Sequence, residues 1–381
     1  MRSQDFIRRM PEASRELRRP VSVWQKLHID LPLFLLLLAL TAFGLIVLYS
    51  ASGQEFSYIK RQGIFFLLAY VAMFIIAQIK LHMFQRWAPW VYLGGIGLLI
   101  LVMFMGIGAK GAQRWLSIGG FRFQPSEILK LAVPIAVATY LASRSLPPKF
   151  IQVVLTLILI ALPTLLILQQ PDLGTSILIA ASGLIVLFMA GLRWRYIFGA
   201  FGLALASVWP MWNFVLRDYQ KQRVLTMFDP EADKLGAGWN IIQSKTAIGS
   251  GGVSGKGWLQ GTQSQLDFLP ESHTDFIIAV LAEDFGMFGV LLLLALYLLL
   301  IARGMVIAIN AQDTFGKLLA AGITITFFIY VFVNIGMVTG LLPVVGVPLP
   351  LVSLGGTSIV TLMSGFGILM AIGTERRRVT I

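Results

Sequence analysis

Ten stretches of apolar sequence, each close to the thickness of a lipid bilayer when wound as a helix, decide what this chain can become. They run at about 30–50, 62–79, 88–108, 124–143, 150–168, 174–191, 195–214, 277–302, 315–338 and 352–373. Roughly 20 apolar helical residues cross the hydrocarbon core. Lipid offers no partner to a backbone amide, so a crossing segment must be a helix or part of a closed barrel. Continuous apolar runs, not alternating ones, select the helix. The sequence therefore predicts an all-α integral membrane protein with about ten transmembrane helices. Gly, Pro or charge interrupts the third, fourth, sixth and last runs, so nine or eleven spans also fit. Composition points the same way: 57% of the 381 residues are apolar and 13% charged, more apolar surface than a soluble fold can hide.

Residues 1–29 form a basic segment carrying Arg8, Arg9, Arg18 and Arg19. Residues 30–381 are expected to form a single polytopic membrane domain. Ser50-Ala51-Ser52 after the first run imitates a signal-peptidase site. That run is longer than the roughly 7–15 residues of a signal h-region, so it is expected to be kept as the first span.

Net charge is +12. In a membrane protein this reads as topology-setting charge and attraction to anionic headgroups. No aromatic-interleaved basic module argues for nucleic acid. With ten spans, the basic N-terminal segment, the loops near Lys80/Arg86, Arg144/Lys149, Arg193/Arg195 and Arg303/Lys317, and Arg376-Arg377-Arg378 share one side. The positive-inside rule makes that side cytoplasmic, both termini included. The loop with Lys110, Arg114 and Arg122 then lies outside, against the rule; it is either structural noise or a cationic site for an anionic ligand. The chain has no cysteine and three histidines, His28, His82 and His273. Disulfides and thiolate metal sites are therefore excluded, and a histidine-built site is not expected.

Residues 215–275 form a large connection between spans seven and eight, on the outer side. It is not expected to be disordered, because it carries Tyr219, Phe228, Trp239, Ile241, Ile242, Trp258 and Phe268. Trp239 to Ile248 has helical apolar spacing and is expected on the membrane surface; Gly249 to Thr262 is glycine-rich and irregular. Ser250 to Lys256 imitates a phosphate-binding loop but lacks its first glycine, its hydroxyl after the lysine and its preceding strand.

Charged side chains within spans are costly and therefore informative. Glu127 and Lys130 share one helix face and can pair, either to join helices or to line a polar cavity that offers Lys130 to phosphate. Asp172 stands at the outer break between spans five and six, as a helix cap or a site residue. Asp275 ends the large loop; it or Thr274 could cap span eight, or Asp275 could take a proton from a hydroxyl nucleophile. Glu283 and Asp284 are expected to face protein. Three prolines in Leu342–Pro350 rule out regular helix, so that segment must face protein or water. Ser353 to Ser358 opens the last span, for close packing or for a site. Together these residues outline an outward cavity lined by Arg114, Arg122, Lys130, Asp172, Lys245 and Asp275, suited to an anionic, phosphate-bearing ligand. Cytoplasmic loops are too short for a nucleotide domain, so any reaction would use an already activated substrate. Neither a nucleotide nor a redox cofactor is expected.

Several linked motifs resemble the SEDS family (shape, elongation, division and sporulation). They are Lys110-Gly-Ala-Gln-Arg114-Trp115, Arg122-Phe-Gln-Pro-Ser-Glu127-Ile-Leu-Lys130, Gln170-Pro-Asp172-Leu-Gly-Thr175, Ile241-Ile-Gln-Ser-Lys245, Gly261-Thr-Gln-Ser-Gln265, Pro270-Glu-Ser-His-Thr-Asp275-Phe276 and Asn334…Pro343-Val-Val-Gly346…Ser353-Leu-Gly-Gly-Thr-Ser358. The resemblance runs from about Trp24 to the end. It implies a peptidoglycan glycosyltransferase of cell elongation in the bacterial inner membrane. Such an enzyme polymerises lipid II into a nascent glycan strand at the outer face. Its implied partners are a class B penicillin-binding protein and other membrane proteins of the elongation complex. The family's essential aspartate maps to Asp275 and its intramembrane pair to Glu127 and Lys130. Arg114, Arg122, Lys130 and Lys245 become candidates to hold pyrophosphate, with Glu127, Asp172, Gln265, His273, Thr274 and Ser353 in support and a divalent cation as a conceivable addition. One departure is Leu354, where the family pattern has an aromatic, usually Tyr; it is expected outside the charged cluster. A lipid flippase and a scaffold for the penicillin-binding partner are the competing readings.

Overall fold

The computed structural model describes residues 24, 27–109, 112–118, 121–216, 218–233, 237–265, 268–269 and 271–375. Each apolar run contains one long helix: α1 (Leu31–Ala51), α2 (Phe56–Ala77), α3 (Leu81–Met105), α4 (Pro125–Ala142), α5 (Phe150–Gln169), α6 (Leu173–Met189) and α7 (Trp194–Pro210). Short helices α8 (Asp218–Phe228), α9 (Ala237–Gly251) and α10 (Thr262–Gln265) follow. The last three apolar helices are α11 (Ile277–Asn310), α12 (Thr314–Val338) and α13 (Thr357–Gly373). Eight of the apolar helices have the length and hydropathy of membrane spans, and α6 and α13 are shorter apolar helices of 17 residues each. The protein is an all-α, multi-pass membrane protein.

Burial sorts the helices into a centre and a rim. Two-thirds of the most apolar window of α12 is buried (67%), as is 61% of that of α4, while the Trp194–Phe214 window, α7 and the π-turn that extends it, buries none. An apolar helix with none of its residues buried in protein belongs against lipid. Asp30 starts α1 by accepting the Leu33 amide at 3.1 Å, and it also grips Arg303 of α11 through two bonds of 3.0 and 2.6 Å. One carboxylate thus caps one helix and ties it to another.

Two details differ from the expectations. Between α3 and α4 the chain forms a small antiparallel meander of three strands, β1 (Ile107–Ala109), β2 (Ala112–Ile118) and β3 (Phe121–Phe123). The α9 segment is helical as its spacing predicts, but its apolar face meets protein. Ile241, Ser244 and Ala247 are buried, and the Ser244 hydroxyl donates to the Val338 carbonyl at the end of α12 (2.8 Å). Residues 1–23, with their arginines, and Arg376-Arg377-Arg378 lie outside the described residues.

Candidate functional site

In an up-and-down bundle, alternate connections share one end. The connections α1–α2, α3–α4, α5–α6 and α12–α13 meet there, joined by the chain entering α11. Between them lies a polar cavity of about 460 Å³ whose lining includes Arg114, Glu127, Lys130, Asp172, His273, Thr274 and Asp275. Seven of the residues singled out in the sequence therefore converge on one space, although they come from four separate stretches of chain.

Arg114 reaches this space because successive strand side chains alternate in direction. It shares a face of β2 with buried Leu116 and so turns inward. Its guanidinium donates to the Gln170 carbonyl (3.3 Å) and to the Pro171 carbonyl, and approaches Asp172 Oδ2 at 3.8 Å. Asp172 is both a cap and a cavity residue: its Oδ1 accepts the Thr175 amide at 3.2 Å, and its Oδ2 accepts Gln124 Nε2 at 3.0 Å. The meander and the α5–α6 break are thereby locked together around one carboxylate.

One turn into α4, Lys130 Nζ donates to Glu127 Oε1 at 2.6 Å, with both side chains nearly buried. The ammonium also lies 5.3 Å from the ring centroid of Tyr330 on α12, within the range of cation–π attraction. Glu127 Oε2 and Ser126 Oγ are buried without a hydrogen-bond partner. The pair thus joins helices and lines the cavity at once.

Asp275 sits in a turn, residues 271–276, that leads into α11. Neither capping assignment holds in its simple form. The N-cap position of α11 is Phe276, and the Thr274 hydroxyl donates back to the Glu271 carbonyl at 3.2 Å. The turn is gripped by the chain before α13: Ser353 Oγ donates to the Thr274 carbonyl and accepts the Leu349 amide (2.9 Å), while the Leu354 amide donates to the His273 carbonyl (2.9 Å). Asn334 Nδ2 donates to the carbonyls of Asp275 (2.9 Å) and Val347 (2.7 Å), so α12 holds both segments. Gln62 of α2 completes the frame through the Ser353 carbonyl (3.0 Å) and the Gly355 amide (3.2 Å). Gly346, at φ +73°, lies against the carboxylate; a Cβ there would stand 3.5 Å from Asp275 Oδ2.

Other assignments move. Lys245 does not line the cavity: α9 buries its neighbour Ser244, leaving Lys245 on an exposed flank against Gly340. Leu354 does line it, beside His273, contrary to the expectation that it lies outside the charged cluster. The side chains of Arg122 and Gln265 lie outside the described residues. Tyr330, Gln124 and Asn334 were not singled out individually as site residues. Gln124 and Asn334 sit inside quoted motifs, while Tyr330 in an apolar run carries no signal of its own. Among the described residues, no three His, Cys, Asp or Glu side chains gather as metal ligands.

This fold and site define an integral membrane protein built around a cation- and carboxylate-lined cavity at one end of its bundle. The chain belongs to the FtsW/RodA/SpoVE family of cell cycle proteins, whose model matches residues 31–378. Among its relatives, peptidoglycan glycosyltransferase MrdB of Escherichia coli strain K12 is 54% identical over 354 residues, covering 93% of this chain and 96% of its own. The probable peptidoglycan glycosyltransferase FtsW of Geobacter metallireducens is 39% identical, covering 91% and 95%. A chain from a peptidoglycan synthase complex that coordinates polymerization and crosslinking superposes with a TM-score of 0.80 at 31% identity, over 90% of this chain and 97% of that one. The rod shape determining protein RodA of Thermus thermophilus superposes at 0.69 with 28% identity, over 92% and 98%.

Proposed function

We infer that this protein is a peptidoglycan glycosyltransferase that polymerises lipid II into glycan strands during cell-wall elongation and works with a class B penicillin-binding protein. The observation that carries the site assignment is the meeting of Asp275, Arg114 and Lys130 in one polar cavity at the end of the bundle. That end faces the extracytoplasmic side and both termini are cytoplasmic, which puts residues 215–275 outside; the charge of the opposite loops supports this orientation.

In the proposed reaction, Asp275 accepts the proton of the acceptor's sugar 4-hydroxyl. The freed oxygen bonds to the anomeric carbon of the donor. The bond from that carbon to the pyrophosphate oxygen breaks, its electron pair leaves on undecaprenyl pyrophosphate, and configuration inverts. Arg114 and Lys130 face the growing negative charge, where cations already held in place stabilise it without reorganising. Lys245 has no part in this step. Purified protein with its penicillin-binding partner should convert lipid II to polymer in liposomes. Lipid translocation without polymer would overturn the reading in favour of a flippase.

A further inference from the structure

The glycine-rich segment that imitates a phosphate loop has another occupation. Its Lys256 Nζ donates to Glu283 Oε1 at 2.7 Å, and the same oxygen accepts the amides of Thr262 (2.8 Å) and Gln263 (3.1 Å) and the Thr262 hydroxyl (3.1 Å). Glu283 is wholly buried, two turns into α11. Backbone bonds run alongside: the Lys256 amide to the Glu283 carbonyl (2.9 Å), Gly257 to Asp284 (3.0 Å) and Met287 to Gly252 (3.0 Å). The approach is so close that a Cβ on Gly255 would stand 2.1 Å from the Asp284 carbonyl oxygen, and one on Gly286 would stand 2.3 Å from the Gly255 nitrogen. Asp284 accepts the Ser50 hydroxyl of α1, and Trp258 Nε1 donates to the Ile46 carbonyl at 3.2 Å.

Thr262 and Glu283 are 21 residues apart, and Asp275 lies on the chain between them. We propose that Glu283 is a positioning residue, its carboxylate a latch that closes the loop carrying Asp275 by binding the start of α10 and Lys256 to α11. Charge-assisted bonds to several donors are the strong kind. A displacement near 1 Å at a reacting group costs on the order of 100-fold in rate. The inference rests on the reading of Asp275 as the catalytic base.

Glu283→Gln keeps the size of the side chain and one acceptor but removes the charge that Lys256 meets. It should lower kcat for lipid II polymerisation at least 10-fold, with KM within about twofold of wild type. Amide exchange should quicken between Thr262 and Phe276 while α12 stays protected. Lys256→Gln, at a partly exposed position that tolerates change, should move both readouts in the same direction and less. Unchanged exchange at those amides in Glu283→Gln would overturn the latch whatever the activity. So would a loss of turnover that only tracks a lowered melting temperature, or one confined to KM. If wild-type protein makes no polymer, the functional reading fails while the exchange data still judge the latch.

Discussion

Lys130 sits where an unpaired ammonium could not. Its stability depends on Glu127 at 2.6 Å and on the ring of Tyr330. Lys130→Met leaves a buried carboxylate without its cation, which typically costs about 3–5 kcal/mol. The variant should therefore melt well below wild type in detergent and lose polymerisation as well. Unchanged melting with lost activity would instead mean that Lys130 acts chiefly on substrate phosphate. Glu127, Lys130, Asp172 and Asp275 stand out as candidates in the sequence because charge inside or beside an apolar run needs an explanation; for Asp275 the family motif, not spacing, favours a catalytic role over a helix cap. Leu354 was misplaced because nothing local in a Ser-Leu-Gly-Gly sequence reveals that its amide answers the His273 carbonyl across the bundle.

At the scale of elements, helix existence was far more legible than helix bounds. Apolar runs undercount helical residues wherever polar side chains ride on a helix end. Helix α2 begins at Phe56 and so includes Lys60 and Arg61, and α11 continues past Arg303, which pairs with Asp30, to Asn310. The last helix starts at Thr357, later than its apolar run, since Pro348, Pro350 and the Gly355-Gly356 pair leave the preceding chain unwound. The Asn334 side-chain amide bonds to both that unwound chain and the Asp275 turn. Asn334→Ala would leave two carbonyls without it, at a cost of about 1–3 kcal/mol, and should reduce turnover by loosening the turn; thermal melting and initial rates check both. Helix α9 gives the opposite prediction. Because Lys245 is outside the cavity, Lys245→Met should keep polymerisation within about threefold of wild type, a change worth less than about 1 kcal/mol.

Across the whole molecule, the up-and-down order of helices brings distant motifs to one end, and the orientation of that end is open to direct test. The chain has no cysteine, so single introduced thiols report without background. Glu55→Cys, between α1 and α2, should react with a membrane-impermeant thiol reagent on spheroplasts. Ser145→Cys, between α4 and α5, should react only after permeabilisation. The reverse pattern would invert the topology. The outward cavity read from the sequence placed Arg114, Lys130, Asp172 and Asp275 together through the order of spans; they come from four separate stretches of chain, and packing brings their side chains to one space while leaving Lys245 outside it. The most direct test of the account compares glycan polymerisation from lipid II by wild type and by Asp275→Asn, each purified with the transpeptidase partner. Wild type should make polymer, and Asp275→Asn should make none while still folding and binding its partner. Wild-type-like polymer from Asp275→Asn would contradict it.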